Sequence, residues 1–114
     1  MEIKIVEDTI SKEELKKIAE NQFGDLVKAV VDVEKKIMAI GGELHADEEA
    51  LLLKRGSKQE NLWGINLRID KTKNEFIEFD SMINVRPSQN NRSRSVENLE
   101  MQRKIINTVS KLIL

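Results

Sequence analysis

Two periods of apolar residues alternate along the chain, and the places where one gives way to the other mark its elements. Ile3 and Ile5 stand between charged residues, the two-residue repeat of a short strand. Ser11-Lys-Glu-Glu14 follows as a capping box, in which the serine hydroxyl accepts from an early amide and the glutamate reaches back. Leu15, Ile18, Ala19 and Phe23 then share one helical face and Gly24 stands where a helix C-cap needs it, so a helix is predicted over 12–23.

Residues 26–40 fit both periods. Leu26, Val27, Val30, Val31, Ile37 and Met38 form a helical stripe. Yet Ala29-Val-Val-Asp-Val33 is rich in β-branched side chains, which lose rotamer freedom in a helix and suit a pleated surface. That content favours a hairpin, with Glu34-Lys-Lys36 as a charged turn and Ile37 to Ile40 as the returning strand. Gly41-Gly42 ends either element. Ala46 to Arg55 carries helix formers up to Gly56 and predicts a short helix.

The clearest alternation is Trp63, Ile65, Leu67 and Ile69 against Gly64, Asn66 and Arg68. A polar turn over 70–74 leads to a return strand predicted from Glu75 to Val85, with Ile77, Phe79, Ser81, Ile83 and Val85 on one face. This register sets Asn66 opposite Glu78 and Gly64 opposite Asp80, with Arg68 diagonal to Glu78. Residues 87–95 form a loop. Met101, Ile105, Ile106, Val109, Leu112 and Ile113 return to helical spacing, so the last helix should pack on the hairpin's apolar face.

The elements add up to one α+β domain over 1–114: an antiparallel sheet of four to five strands, with N- and C-terminal helices packed on one face and a short helix near 46–55. Composition agrees, since 39% hydrophobic and 34% charged residues among 114 suffice for one core. The absence of cysteine removes disulfides, thiolate metal sites and cysteine nucleophiles. No apolar run approaches the roughly 18 residues of a membrane span, and the first residues carry charges where a signal peptide is apolar. The expected location is cytoplasmic, with no membrane partner. A net charge of −1 argues against nucleic acid, and few aromatics are present to stack on bases. An anion would have to be met by a local patch.

Three places can carry chemistry. Glu43-Leu-His45-Ala-Asp47 holds the only histidine; if extended, Glu43, His45 and Asp47 project from one face, a half-site for a metal or for acid–base work. Asp47, Glu48 and Glu49 also suit the first turn of a helix at its positive end, with His45 as polar surface. The segment from Arg86 to Ser95 places Arg86, Arg92 and Arg94 among hydroxyls just before a helix, an arrangement suited to phosphate or carboxylate. Its plainer reading is Ser93 or Ser95 as helix cap with solvated arginines. The third place is the hairpin's polar face, where Asn66, Arg68, Glu78, Asp80 and Asn84 line either a cleft or a solvated sheet. Walker, dinucleotide-binding, zinc-protease and nucleophile-elbow spacings are missing, and no cofactor or metal set is specified.

The stretches GDLVKAVVDVEKKIMAIGGELHADEEALLL, GSKQENLWGIN and IEFDSMINVRPSQNNRS resemble a family of small prokaryotic proteins of unknown function, from about Phe23 onward. The resemblance implies importance for Glu43, His45, Asp47, Gly56, Ser57, Gln59, Trp63, Asn66, Ser81, Asn84, Arg86, Pro87 and Arg92. It supplies positions and no chemistry. The favoured expectation is a module binding a small anionic molecule in a polar pocket that collects His45, Asn66, Asn84, Arg86 and Arg92. Arg86 and Arg92 then hold the anion, Asn66 and Asn84 orient it, and Arg94 is a further ligand-binding candidate. Two other classes stand beside it. One is a hydrolase-type enzyme using His45 with Asp47 or Glu43, with or without a metal. The other is a homo-oligomerising structural or regulatory subunit.

Overall fold

Asp32 decides between hairpin and helix for residues 26–40. In the computed structural model, which describes residues 2–114, its Oδ1 accepts from the amides of both Glu34 and Lys35 at 2.9 Å. Its Oδ2 accepts from the Ser57 hydroxyl at 2.6 Å. The side chain thus closes the turn as aspartate does at the first position of a tight turn. β2 (Leu26–Asp32) and β3 (Ile37–Ile40) run antiparallel on either side of it.

β1 (Lys4–Val6) pairs with β3, and β4 (Leu62–Arg68) pairs with β2 along its whole length. β5 (Ile77–Glu78) completes an antiparallel sheet of order β1-β3-β2-β4-β5. Three helices cover it: α1 (Lys12–Glu20), α2 (His45–Lys54) and α3 (Leu99–Leu112). The Ser11 hydroxyl accepts from the Glu14 amide at 3.1 Å, as its spacing predicts, but the Glu14 carboxylate pairs with Lys4 where a full capping box would have it reach back. Gly24, at φ +91, returns its amide to the Ala19 carbonyl and turns the chain into β2.

Sheet alternation sorts the core into two layers. Val27, Ala29 and Val31 of β2, Met38 and Ile40 of β3, and Trp63, Ile65 and Leu67 of β4 pack with Leu15 and Ala19 of α1 and Ile105, Val109 and Leu112 of α3. Val30, Ala39 and Leu62 point the other way and are closed by Leu52 of α2. Terminal helices on one face, together with a short helix, are the predicted α+β architecture; the fold adds that the short helix closes the opposite face. No helix of the described residues is long and apolar enough to cross a membrane.

The return strand is far shorter than its alternation predicts. Asn66 does pair with Glu78, but pairing stops there and Met82–Asn84 forms a 3₁₀ turn. Gly64 pairs with Val30 of β2 on one side, but on the β5 side it faces neither Asp80 nor any other strand residue. Its amide donates to Asn84 Oδ1 at 2.8 Å, and its carbonyl accepts from Asn84 Nδ2 at 2.9 Å. One carboxamide offers the same donor and acceptor as a peptide group, so a side chain replaces a strand. Ile83 consequently joins the α2 layer while Ile77 and Phe79 stay with α1 and α3. The helix cap also differs from expectation: Asn98, and neither Ser93 nor Ser95, accepts from the Met101 amide.

Gly64 is required by this arrangement. A Cβ there would lie 2.6 Å from both Cβ and Oγ of Ser81. Gly64→Ala should therefore cost about 1–3 kcal/mol by urea denaturation, with partial recovery in Gly64→Ala/Ser81→Gly. A Gly64→Ala chain with the wild-type midpoint would show that Ser81 does not press on β4.

Candidate functional site

The histidine segment is helical where a one-face ligand set needs it extended. α2 begins at His45, leaving Glu43 and Asp47 exposed while the imidazole turns inward. His45 is 9% exposed, and its Nε2 donates to the Ile65 carbonyl at 2.8 Å. Burial, helped by the charge of Lys28, lowers its pKa below the ordinary 6.5, against the opposing pull of the Ile65 carbonyl, Asn66 and Asp80. The ring is therefore neutral, with its proton on Nε2. Among the described residues, no group of three or more His, Asp or Glu is placed to hold a metal ion.

The carboxyl group on the inner face of α2 is Glu48, one turn beyond His45 and fully buried. Its Oε2 accepts from the Gly42 amide at 2.9 Å, while Oε1 meets no donor. Burial pushes its pKa up to about 9, and Asp47 adds to this; the Gly42 amide and Lys28 pull the other way. By sequence, Glu48 reads as first-turn helix charge. Only its i, i+3 spacing from His45, once the helix start is known, marks it as inward-facing.

The Asn66, Arg68 and Glu78 part of the polar strand face forms as its register predicts, while Gly64 meets Asn84 and not Asp80. Asn66 Nδ2 donates to Glu78 Oε1 at 2.7 Å, and Arg68 reaches both Glu78 oxygens at 3.1 Å. Asn66 lies beside the imidazole, with its buried Oδ1 meeting no aligned donor. His45 and Asn66 therefore come together. The side chains of Asn84, Arg86 and Arg94 are spent on other partners, and Arg92 is exposed.

Arg86 is enclosed by the fold. Its five N–H donors go to the carbonyls of Ile83, Gln59 and Leu62, to Gln89 Oε1 and to Glu49 Oε2, and the guanidinium stacks 4.9 Å from the Trp63 ring centroid. Arg94 pairs with Asp80 at 2.6 Å, and Arg92 is exposed. The loop already holds an anion from the chain itself: Glu97 Oε2 accepts from Arg92 N at 2.9 Å and Ser93 N at 2.8 Å, and the Ser93 hydroxyl, followed by these two amides, lowers its pKa.

Concave surface lies elsewhere, on both sides of α3. A groove of about 690 Å³ runs between α1, α3 and the β4–β5 turn; Leu15, Ile69, Phe76, Ile77, Val109 and Ile113 form its walls, with Lys12, Lys71 and Lys73 among its lining. A smaller cleft of about 340 Å³ lies between α3 and the β2–β3 turn, with Lys36, Lys104 and Lys111. None of these six lysines takes part in an ion pair among the described residues. Sequence reasoning missed both, because the lysines come from well-separated segments and form no motif.

The fold and these sites define an α+β domain with buried, neutral His45 and Glu48 on the inner face of α2 and two lysine-lined clefts flanking α3. The chain belongs to the family described as Protein of unknown function (DUF5674), whose model matches residues 4–112. The match takes in β1 and α1, beyond the stretch from Phe23 onward that carries the resemblance. No curated protein matches the chain, and no solved structure does.

The Glu48 carboxyl binds a proton more tightly folded than unfolded, so its contribution to stability falls as pH rises from 4.5 to about 9. His45 acts oppositely, since unfolding frees a ring that protonates below its ordinary 6.5. Glu48→Gln keeps the acceptor for Gly42 and removes only the titration. Its melting midpoint should match wild type near pH 5 and exceed it by about 5 °C or more near pH 9. Parallel pH profiles for the two chains would refute a buried neutral Glu48.

Proposed function

We propose that the protein is a small-molecule-binding module whose ligand is an anionic amphiphile, seated in the groove between α1, α3 and the β4–β5 turn. The observation that carries this is the pairing of an apolar wall with three uncommitted ammonium groups. A volume of about 690 Å³ falls within the usual range of ligand sites. The walls shed water onto an apolar body, and Ile106, 41% exposed at the mouth, extends that surface outward. Lysines are compact point charges on flexible stems, suited to a carboxylate or phosphate head at a wet edge. The lining has no carboxylate to repel the head and no imidazole to act on it, so the groove favours binding over turnover. This relocates the anion from the arginine loop, where Arg86 and Arg94 already have partners, to the lysines.

Octanoate below its micellar concentration is the probe. Calorimetry should give saturable one-site binding, and amide resonances of Ile69, Phe76 and Val109 should shift with the same dissociation constant. Lys71→Gln/Lys73→Gln should weaken binding about fivefold with an unchanged melting midpoint, and 1-octanol should not discriminate between the two chains. If octanoate causes no saturable shift at the groove, or binds the double variant equally well, the proposal fails.

A further inference from the structure

We infer that the cleft on the other side of α3 is a second anion site, built for a small, polar, multiply charged ligand of the phosphate-ester or pyrophosphate class. Three separate segments meet there: the β2–β3 turn supplies Lys36, the residue before β4 supplies Asn61, and α3 supplies Lys104, Asn107 and Lys111. Lys104 and Lys111 are seven residues apart on the helix, so they share a side of it about two turns apart. Lys36 closes the triangle from across the cleft. Against these three ammonium groups the lining sets one carboxylate, Glu34, so the cleft keeps a surplus of positive charge that suits a dianion.

Two further observations separate this cleft from ordinary surface. The side-chain amides of Asn61 and Asn107 take part in no hydrogen bond within the described fold, although both line the cleft and can donate to a ligand oxygen. Lys36 also stands in left-handed backbone at φ +59, a position glycine occupies more easily. The turn is held by the Asp32 carboxylate through the amides of Glu34 and Lys35, so this lysine is presented from an ordered loop. Strain kept at the rim of a charged cleft points to a use for the side chain. Unlike the groove, the cleft has only Val33 and Met101 as apolar lining, too little to seat a hydrocarbon body.

Pyrophosphate, titrated into the isotope-labelled full chain at about physiological ionic strength, tests this. Saturable shifts should appear at Lys36, Asn61, Lys104 and Lys111, with none at Ile69 or Phe76. Lys104→Gln/Lys111→Gln should weaken binding about tenfold and leave octanoate binding unchanged. Lys36→Gly should also weaken pyrophosphate binding while holding or raising the melting midpoint, a combination that a purely structural lysine would not produce. Non-saturating shifts spread over lysines everywhere, or binding unaffected by these substitutions, would overturn the assignment. Because the probes and residues differ, failure here leaves the groove untouched, and the reverse holds as well.

Discussion

The exchange of one side-chain amide for a strand, Asn84 against Gly64, is the contact on which the second half of the molecule depends. β4 lies inside the sheet and its peptide groups need partners, since a buried unpaired amide or carbonyl costs about 1–3 kcal/mol. The Asn84 carboxamide satisfies both groups of Gly64, which frees the chain beyond Glu78 to leave the sheet. The same carboxamide also donates to the Arg94 carbonyl at 3.0 Å. Asn91 continues the pattern, with its Nδ2 donating to the Asn84 and Ser95 carbonyls at 2.7 Å and its Oδ1 accepting from Glu97 N at 2.9 Å. Two buried asparagines thus do for residues 80–97 what a ladder does for a sheet.

This device divides the cationic residues by role. Arg86 gives its whole fork to backbone and side-chain oxygens, work that suits a planar guanidinium with five fixed donors. Arg68 and Arg94 pair with carboxylates on the sheet face. The lysines around α3 enter no ion pair, and they sit where the surface is hollow. Arg68, Arg86 and Arg94 are committed to the fold, whereas the six lysines lining the two hollows are not.

Beneath α2 the sheet takes a different course. His45 and Glu48 are both buried and both neutral at ordinary pH, since desolvation penalises the charged form of each. Glu48 is pressed so closely against Gly42 that a Cβ there would lie 2.9 Å from its Cγ. The carboxyl group pins the β3–α2 connection to the helix, so its proton affinity is tied to the stability of the fold.

Local pattern was enough to establish the class and most elements. The β-branched run at 29–33, the alternation at 63–69, the Ser11 N-cap and the stripe from Met101 to Ile113 each express a choice made by near neighbours, and each appears in the fold. The register of Asn66 with Glu78 was legible too, because a short turn fixes it. The end of β5 was not: alternation continues to Val85, and only the three-dimensional meeting of Gly64, Ser81 and Asn84 shows that a side chain supplants the strand. The arginines looked like ligand holders because residue type reveals charge but not whether its donors are already used. The lysine-lined hollows were invisible for the opposite reason, since each gathers side chains that are far apart along the chain and adjacent only once α3 has packed on the sheet.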